Sequence, residues 1–225
     1  AVAGCTLLGV VIERVAYKPL RSSPRLSLLI TAIGVSFFLQ NTAQLVMGAG
    51  SKTMPPIISG PNLKMGDITM SFVAMVTIAV SLISMALLTL LVQKTKMGKA
   101  MRAVSEDMGA AQLMGISVNK TIAFTFAIGS ALAGIGAVLY SCAYPQASPT
   151  MGGMLGLKAF VAAVLGGIGS LPGAMIGGFA IGLLEAFVSA AGLSVWKDGV
   201  VFAVLIIVLL IKPTGIMGRE IKEKV

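Results

Sequence analysis

The side chains able to do chemistry are few, and they gather in three places. One is residues 94–120, KTKMGKAMRAVSEDMGAAQLMGISVNK, charged and amphipathic between apolar neighbours. Within it Ser105 suits a helix N-cap, because its hydroxyl can accept from a free backbone N–H. Glu106 and Asp107 would then lie in the first turn, where the helix dipole favours anions. Met101, Val104, Met108, Ala111 and Met114 recur at spacings of three and four, which predicts an apolar stripe. Gly115 stands where such a helix can end in the left-handed conformation. The chemistry on offer is recognition: a short amphipathic helix that either lies in a membrane interface or docks another protein.

A polar row in residues 26–47 comes second. Ala32, Ser36, Gln40 and Gln44 follow one another at i, i+4 spacing, with Asn41 beside the line. Amides within an apolar span need a partner or water. They can line a path and bond a passing solute, or bridge to a neighbouring helix. Thr77, Ser81 and Ser84 are weaker versions of the same choice. Third is Glu185, the one carboxylate well inside an apolar run, with Lys158 of the preceding run as a possible partner. A single acid makes a poor proton relay. That scarcity argues against an ion-coupled secondary transporter, although backbone carbonyls can also coordinate sodium.

Several chemistries find no residues to carry them. There is no histidine, and Cys5 and Cys142 are far apart with apolar flanks, so they read as packed thiols rather than metal ligands or a disulfide. No Ser/His or paired-acid arrangement suggests an intramembrane enzyme. A phosphate-binding loop needs G-x-x-x-x-G-K-[ST]. Gly50-Ser51-Lys52-Thr53 and Gly98-Lys99-Ala100 both fail it. The expectation is a chain that catalyses nothing itself and binds no cofactor or metal.

The elements that must position these residues are membrane helices. Of 225 residues, 56% are hydrophobic and 11% charged, against about 25% charged in soluble domains; mean hydropathy is +0.96. The apolar residues come in runs of about 20, the length of a bilayer-crossing helix. The fold class is therefore all-α, a polytopic transmembrane bundle forming one domain over 1–225. Residues 1–12 read as the end of a span. Full spans are expected at 26–47, 69–92, 121–140, about 150–168, 173–190 and 193–211. Gly166, Gly167, Gly169, Pro172 and Gly173 interrupt the run 157–190, so a re-entrant pair of half-helices is the alternative there. The chain opens without an initiator Met inside a segment too short to cross alone, so further N-terminal helices are expected upstream.

The charge of +9 is explained by sidedness rather than by nucleic acid, since no basic-aromatic interleaving accompanies it. Segments 13–25, 93–120 and 212–225 hold 4, 5 and 4 basic residues; 48–68, 141–156 and 191–199 hold 2, 0 and 1. The first set is assigned to the cytoplasm. On this reading 13–25 is a cytoplasmic loop and 94–120 a cytoplasmic docking loop. Small residues at i, i+4 form helix-packing seams: Gly129 and Ala133 in one span, and Gly173 with Gly177 and Gly178 with Gly182 in another.

Ala110-Ala111-x-x-x-Gly115 resembles the core of the loop by which ABC-importer permeases contact their ATPase subunits. The glutamate such loops carry directly before the two alanines is absent; Gly109 stands there, with Glu106 upstream. ERVAYKPLR, LITAIGVSFFLQN, MRAVSED, LMGISVNKTIAFTFAIGSALAGI, LKAFVAAVLGGIGSLPGAMIGG and KPTGIMG resemble permeases of the high-affinity branched-chain amino acid ABC importers, in the LivH-like branch. The resemblance runs from about Glu13 to the C-terminus. It implies a sister permease, two ABC ATPase subunits that hold ATP and Mg, and a soluble substrate-binding protein, all around a permease in a bacterial-type cytoplasmic (inner) membrane. It implies that Glu106, Asp107, Ala110, Ala111 and Gly115 belong to the ATPase-coupling loop. The cargo would be leucine, isoleucine or valine moved inward by alternating access. Alternatives are the same class of permease carrying urea, short amides or other amino acids, and an ion-coupled secondary transporter.

Overall fold

The computed structural model describes residues 1–21, 23–55, 63–65, 68–212 and 214–218. Of the expected loops, the residues Pro56, Gly60, Pro61, Arg219, Lys222 and Lys224 lie outside the described set. The chain forms two compact units, Ala1–Thr150 and Met151–Val225.

In the first unit α1 (Val2–Ile12) does not stop at Glu13. It continues as a π-helical turn, Glu13–Tyr17, and a 3-10 turn, Lys18–Leu20. The expected loop at 13–25 is therefore mostly helix. Two of its charges, Glu13 and Arg21, form an ion pair described below, while Arg14 and Lys18 are exposed. Next come α2 (Arg25–Met47), the two-residue β1 (Lys52–Thr53), the hairpin of β2 (Leu63–Met65) and β3 (Ile68–Met70), and α3 (Phe72–Lys94). Two short helices, α4 (Lys96–Glu106) and α5 (Met108–Leu113), lead into α6 (Val118–Ala143) and β4 (Gln146–Ala147). β4 pairs antiparallel with β1, Lys52 opposite Ala147 and Thr53 opposite Gln146. The loops after α2 and α6 are thereby tied together, as loops on one side of a membrane can be.

α1 and its continuation run antiparallel to α6 along nearly their whole length. A β-carbon at Gly9 would overlap Ser130, and Gly134 backs onto Val2 and Cys5. The rings of Tyr17 and Phe126 lie 5.0 Å apart. The seam thus uses Ser130 and Gly134. Gly129 and Ala133, expected to form a packing seam with no partner helix specified, do not face α1 and are exposed. One residue is a rotation of about 100° on a helix, and a run with small residues on several faces does not say which face meets a neighbour.

The second unit holds α7 (Met151–Gly166), α8 (Leu171–Ala190), a 3-10 turn at Ser194–Trp196 and α9 (Lys197–Ile211). A turn over 167–170, with Gly167 and Gly169 at positive φ, joins α7 to α8. Backbones meet closely here: β-carbons at Gly173 and Gly177 would strike the carbonyls of Gly166 and Ala162. Gly178 and Gly182, the other expected seam pair, are exposed. The core is Val161, Ala162, Ile181 and Val201, with Phe202 and Leu205 against it. Ile216 and Met217 donate their N–H groups to the carbonyls of Leu165 and Gly166 at 2.9 Å, satisfying acceptors that the end of α7 leaves open.

Among the described residues five helical stretches are long and apolar enough to cross a membrane: Leu26–Met47, Phe72–Lys94, Val118–Ala143, Leu171–Ala190 and Ser194–Ile211. α7 has 16 residues, about 24 Å of helix.

Candidate functional site

The segment 94–120 is built of helix rather than loop, and its local chemistry explains the shape. Thr95 ends α3 and starts α4 at once. Its hydroxyl donates to the Leu91 carbonyl at 2.6 Å and accepts from the Gly98 N–H at 3.0 Å. A β-carbon at Gly98 would overlap the carbonyls of Leu91 and Val92, so only glycine lets α4 fold back this tightly. α4 then exposes Lys96, Lys99, Arg102 and Glu106 and buries Val104.

The helix breaks at Asp107, whose backbone is extended (φ −151°, ψ 113°). Its Oδ1 accepts from the N–H groups of Gly109 at 2.7 Å and Ala110 at 3.0 Å. Asp107, not Ser105, is therefore the N-cap; Ser105 lies inside α4 and donates to the Arg102 carbonyl at 2.7 Å. Glu106 is the last residue of α4 rather than part of the first turn of α5. At the other end Gly115 has φ +79°. Its N–H reaches the Gln112 carbonyl at 2.9 Å, and the Ile116 N–H reaches the Ala111 carbonyl at 3.0 Å. This pair of bonds, with Ile116 packed near Ala111, is the Schellman ending.

The break divides the expected stripe. Val104, Ala111 and Val118 form one buried cluster, with Ala103, Ile116 and Ile122 against it. Met108 is 51% exposed, Met114 82% and Leu113 91%. Of the Ala110-Ala111 pair, Ala111 is buried in the cluster and Ala110 faces outward. α5 is thus anchored on one side and presents bare apolar side chains on the other.

The polar row lies on α2. Ser36 and Asn41 are exposed, Gln40 and Gln44 half-buried. Gln40 Nε2 donates to Ser36 Oγ at 3.2 Å, and Asn41 Nδ2 to the Phe37 carbonyl at 2.7 Å. These bonds run along the helix, and among the described residues none crosses to another one.

In the second unit Lys158 meets Glu185 at 2.7 Å, and also Asp198 at 2.7 Å. Lys158 thus bridges two carboxylates at the distance of charge-assisted contacts. Asp198 carried no signal in sequence: it sits at the mouth of α9, read as a loop end. A cavity of about 390 Å³ opens beside the α7–α8 turn, lined by apolar residues such as Phe160, Val164, Ile168 and Leu171 and by Ser170.

The family model for the permease component of branched-chain amino acid transport systems matches residues 1–209. The chain belongs to the branched-chain amino acid transport permease family. This permease is 45% identical over 221 residues to the high-affinity branched-chain amino acid transport system permease protein BraD of Pseudomonas aeruginosa, covering 96% of this chain and 72% of that one. It is 46% identical over 221 residues to LivH of Escherichia coli, covering 95% and 71%. A probable branched-chain amino acid transport permease of Methanocaldococcus jannaschii is 30% identical over 228 residues, covering 94% and 71%. No solved structure matches the permease significantly. Family and apolar helices together make it a multi-pass integral membrane protein of the ABC-transporter class.

Proposed function

We propose that this permease moves leucine, isoleucine and valine inward across a bacterial-type cytoplasmic membrane by alternating access, with ATP bound and hydrolysed, with Mg, in two partner ABC ATPases. A sister permease would complete the pathway, and a soluble binding protein would deliver the amino acid from outside. The observation that carries the reading is the anchored α5 with Met108, Leu113 and Met114 exposed. Bare apolar groups within a charged cytoplasmic segment mark a protein contact, and an ATPase surface would cover them. Asp107 and Gly115 fix the two ends of the contact helix, Ala111 seats it, Ala110 faces outward on it, and Glu106 is exposed at the end of α4 just before it. The row Ser36, Gln40, Asn41 and Gln44 supplies the polar groups for the path, because the bonds of Gln40 and Asn41 stay within their own helix.

The test is uptake of labelled leucine into proteoliposomes. They hold the full-length permease, its sister and the ATPases, with binding protein outside and ATP inside. Uptake that needs both ATP and binding protein is expected. ATP-independent uptake that follows an ion gradient would overturn the docking argument. Binding-protein-stimulated ATP hydrolysis with urea or an amide, but not leucine, would replace the cargo.

A further inference from the structure

Glu13 is 3% exposed, and its carboxylate accepts from Arg21 Nη2. The other arm of the same guanidinium, Nη1, donates to Asn119 Oδ1. A carboxylate buried that deeply is tolerated when it is paired and hydrogen-bonded. Arg21 is therefore held to the π-helical turn that extends α1, and its planar fork reaches a second acceptor on another helix. A lysine, with one point charge, could not hold both in fixed geometry. π-helical turns in α-helices recur at functional positions; here one begins at the residue that anchors Arg21.

The place of Asn119 gives the bridge its meaning. It is the second residue of α6, four positions past Gly115. Its neighbour Val118 is packed in the cluster that seats α5. Displacement of α5 thus reaches the first turn of α6 directly. α1 is distant in sequence, and at this end Arg21 ties it to that turn. Farther along, the pair is already fastened at Tyr17 and Phe126, at Gly9 and Ser130, and at Gly134 with Cys5.

We propose that Arg21 is a positioning residue for coupling: a strut, through Glu13 and Asn119, that makes α1 move with α6 when the docking segment moves. The proposal rests on the importer reading above. It is tested in the same proteoliposomes, by measuring leucine uptake and ATP hydrolysis together. Asn119 is exposed, so Asn119→Ala removes only the link to α6 and leaves Glu13 paired. Uptake per ATP hydrolysed is expected to fall by a factor within about twofold to thirtyfold, the range by which residues on a coupling route act, while stimulated hydrolysis continues. Glu13→Gln with Arg21→Met removes both charges together and should show the same fall. A strut never has to break. Arg21→Cys with Asn119→Cys and Glu13→Gln, in a chain whose Cys5 and Cys142 are serine, should therefore show the same fall as free thiols and recover uptake when joined by a short thiol cross-linker. An unchanged uptake-to-hydrolysis ratio in Asn119→Ala, or no recovery of uptake on cross-linking, overturns the strut. Failure of the unmutated assembly to import leucine would instead sink the importer reading beneath it.

Discussion

Removing the ammonium of Lys158 would leave the carboxylates of Glu185 and Asp198 facing one another between three helices. Each partner is only partly exposed, at 21%, 24% and 34% for Lys158, Glu185 and Asp198. Stripping one member from such a group removes the charge that offsets the others, though partial solvent access moderates the effect. Lys158→Met should lower the stability of the purified permease by about 1–3 kcal/mol. Glu185→Gln leaves one lysine with one carboxylate and should lower it less. Thermal unfolding in detergent would measure both; equal midpoints would show that charge balance is not what the cluster provides. Two of the three members of this cluster are legible in the sequence. A lone acid and a lone base in adjacent apolar runs have few other partners. Asp198 is not legible, because its role depends on how α9 enters the bundle. Glu13 and Arg21 are hidden for the opposite reason: eight residues apart in a basic stretch, they read as solvated loop charges until the helix carries through them.

The docking segment shows what periodicity can and cannot say about an element. The i, i+3, i+4 stripe from Met101 to Met114 runs across Asp107 without a gap, so periodicity alone does not mark the break. The break is decided by the Asp107 side chain, which competes for the N–H groups of Gly109 and Ala110. Ser105, Glu106 and Asp107 are all plausible near a helix start, and only the backbone shows which one caps. Gly115 is legible because its neighbours leave the helix no other ending. Two consequences can be measured. Asp107→Ala removes a cap worth about 1 kcal/mol, so stimulated ATP hydrolysis and uptake should both decline, and Asp107→Asn should restore much of each. Gly115→Val puts a β-branched side chain at φ +79°, which strains the backbone. The protein should insert, yet uptake should fall while the ATPases continue to turn over; normal uptake by this variant would remove Gly115 from the coupling element. Gly98→Ala should be harsher, because its methyl group meets two backbone carbonyls of α3 rather than a movable side chain.

At the scale of the whole molecule, most spans follow from length and apolar content, and sidedness from lysine and arginine counts. Helix boundaries fall within a few residues of those expected for 26–47, 69–92 and 121–140. What composition does not supply is which loops meet. The loops after α2 and α6 are about 90 residues apart, and pairing of β1 with β4 depends on a register of two residues in each. That pairing joins segments which the charge count places outside by a separate argument. Cysteines at Lys52 and Ala147, opposite one another in the pair, therefore test both at once. In a chain whose Cys5 and Cys142 are serine, each single substitution should react with a membrane-impermeant maleimide added to intact cells. A cysteine at the exposed Lys99 should react only after the membrane is opened. The double substitution should form a disulfide under mild oxidation. Labelling at 52 and 147 without a disulfide would keep the topology and discard the strand pair. Labelling at 99 in intact cells would invert the topology, and with it the face from which an ATPase could reach α5.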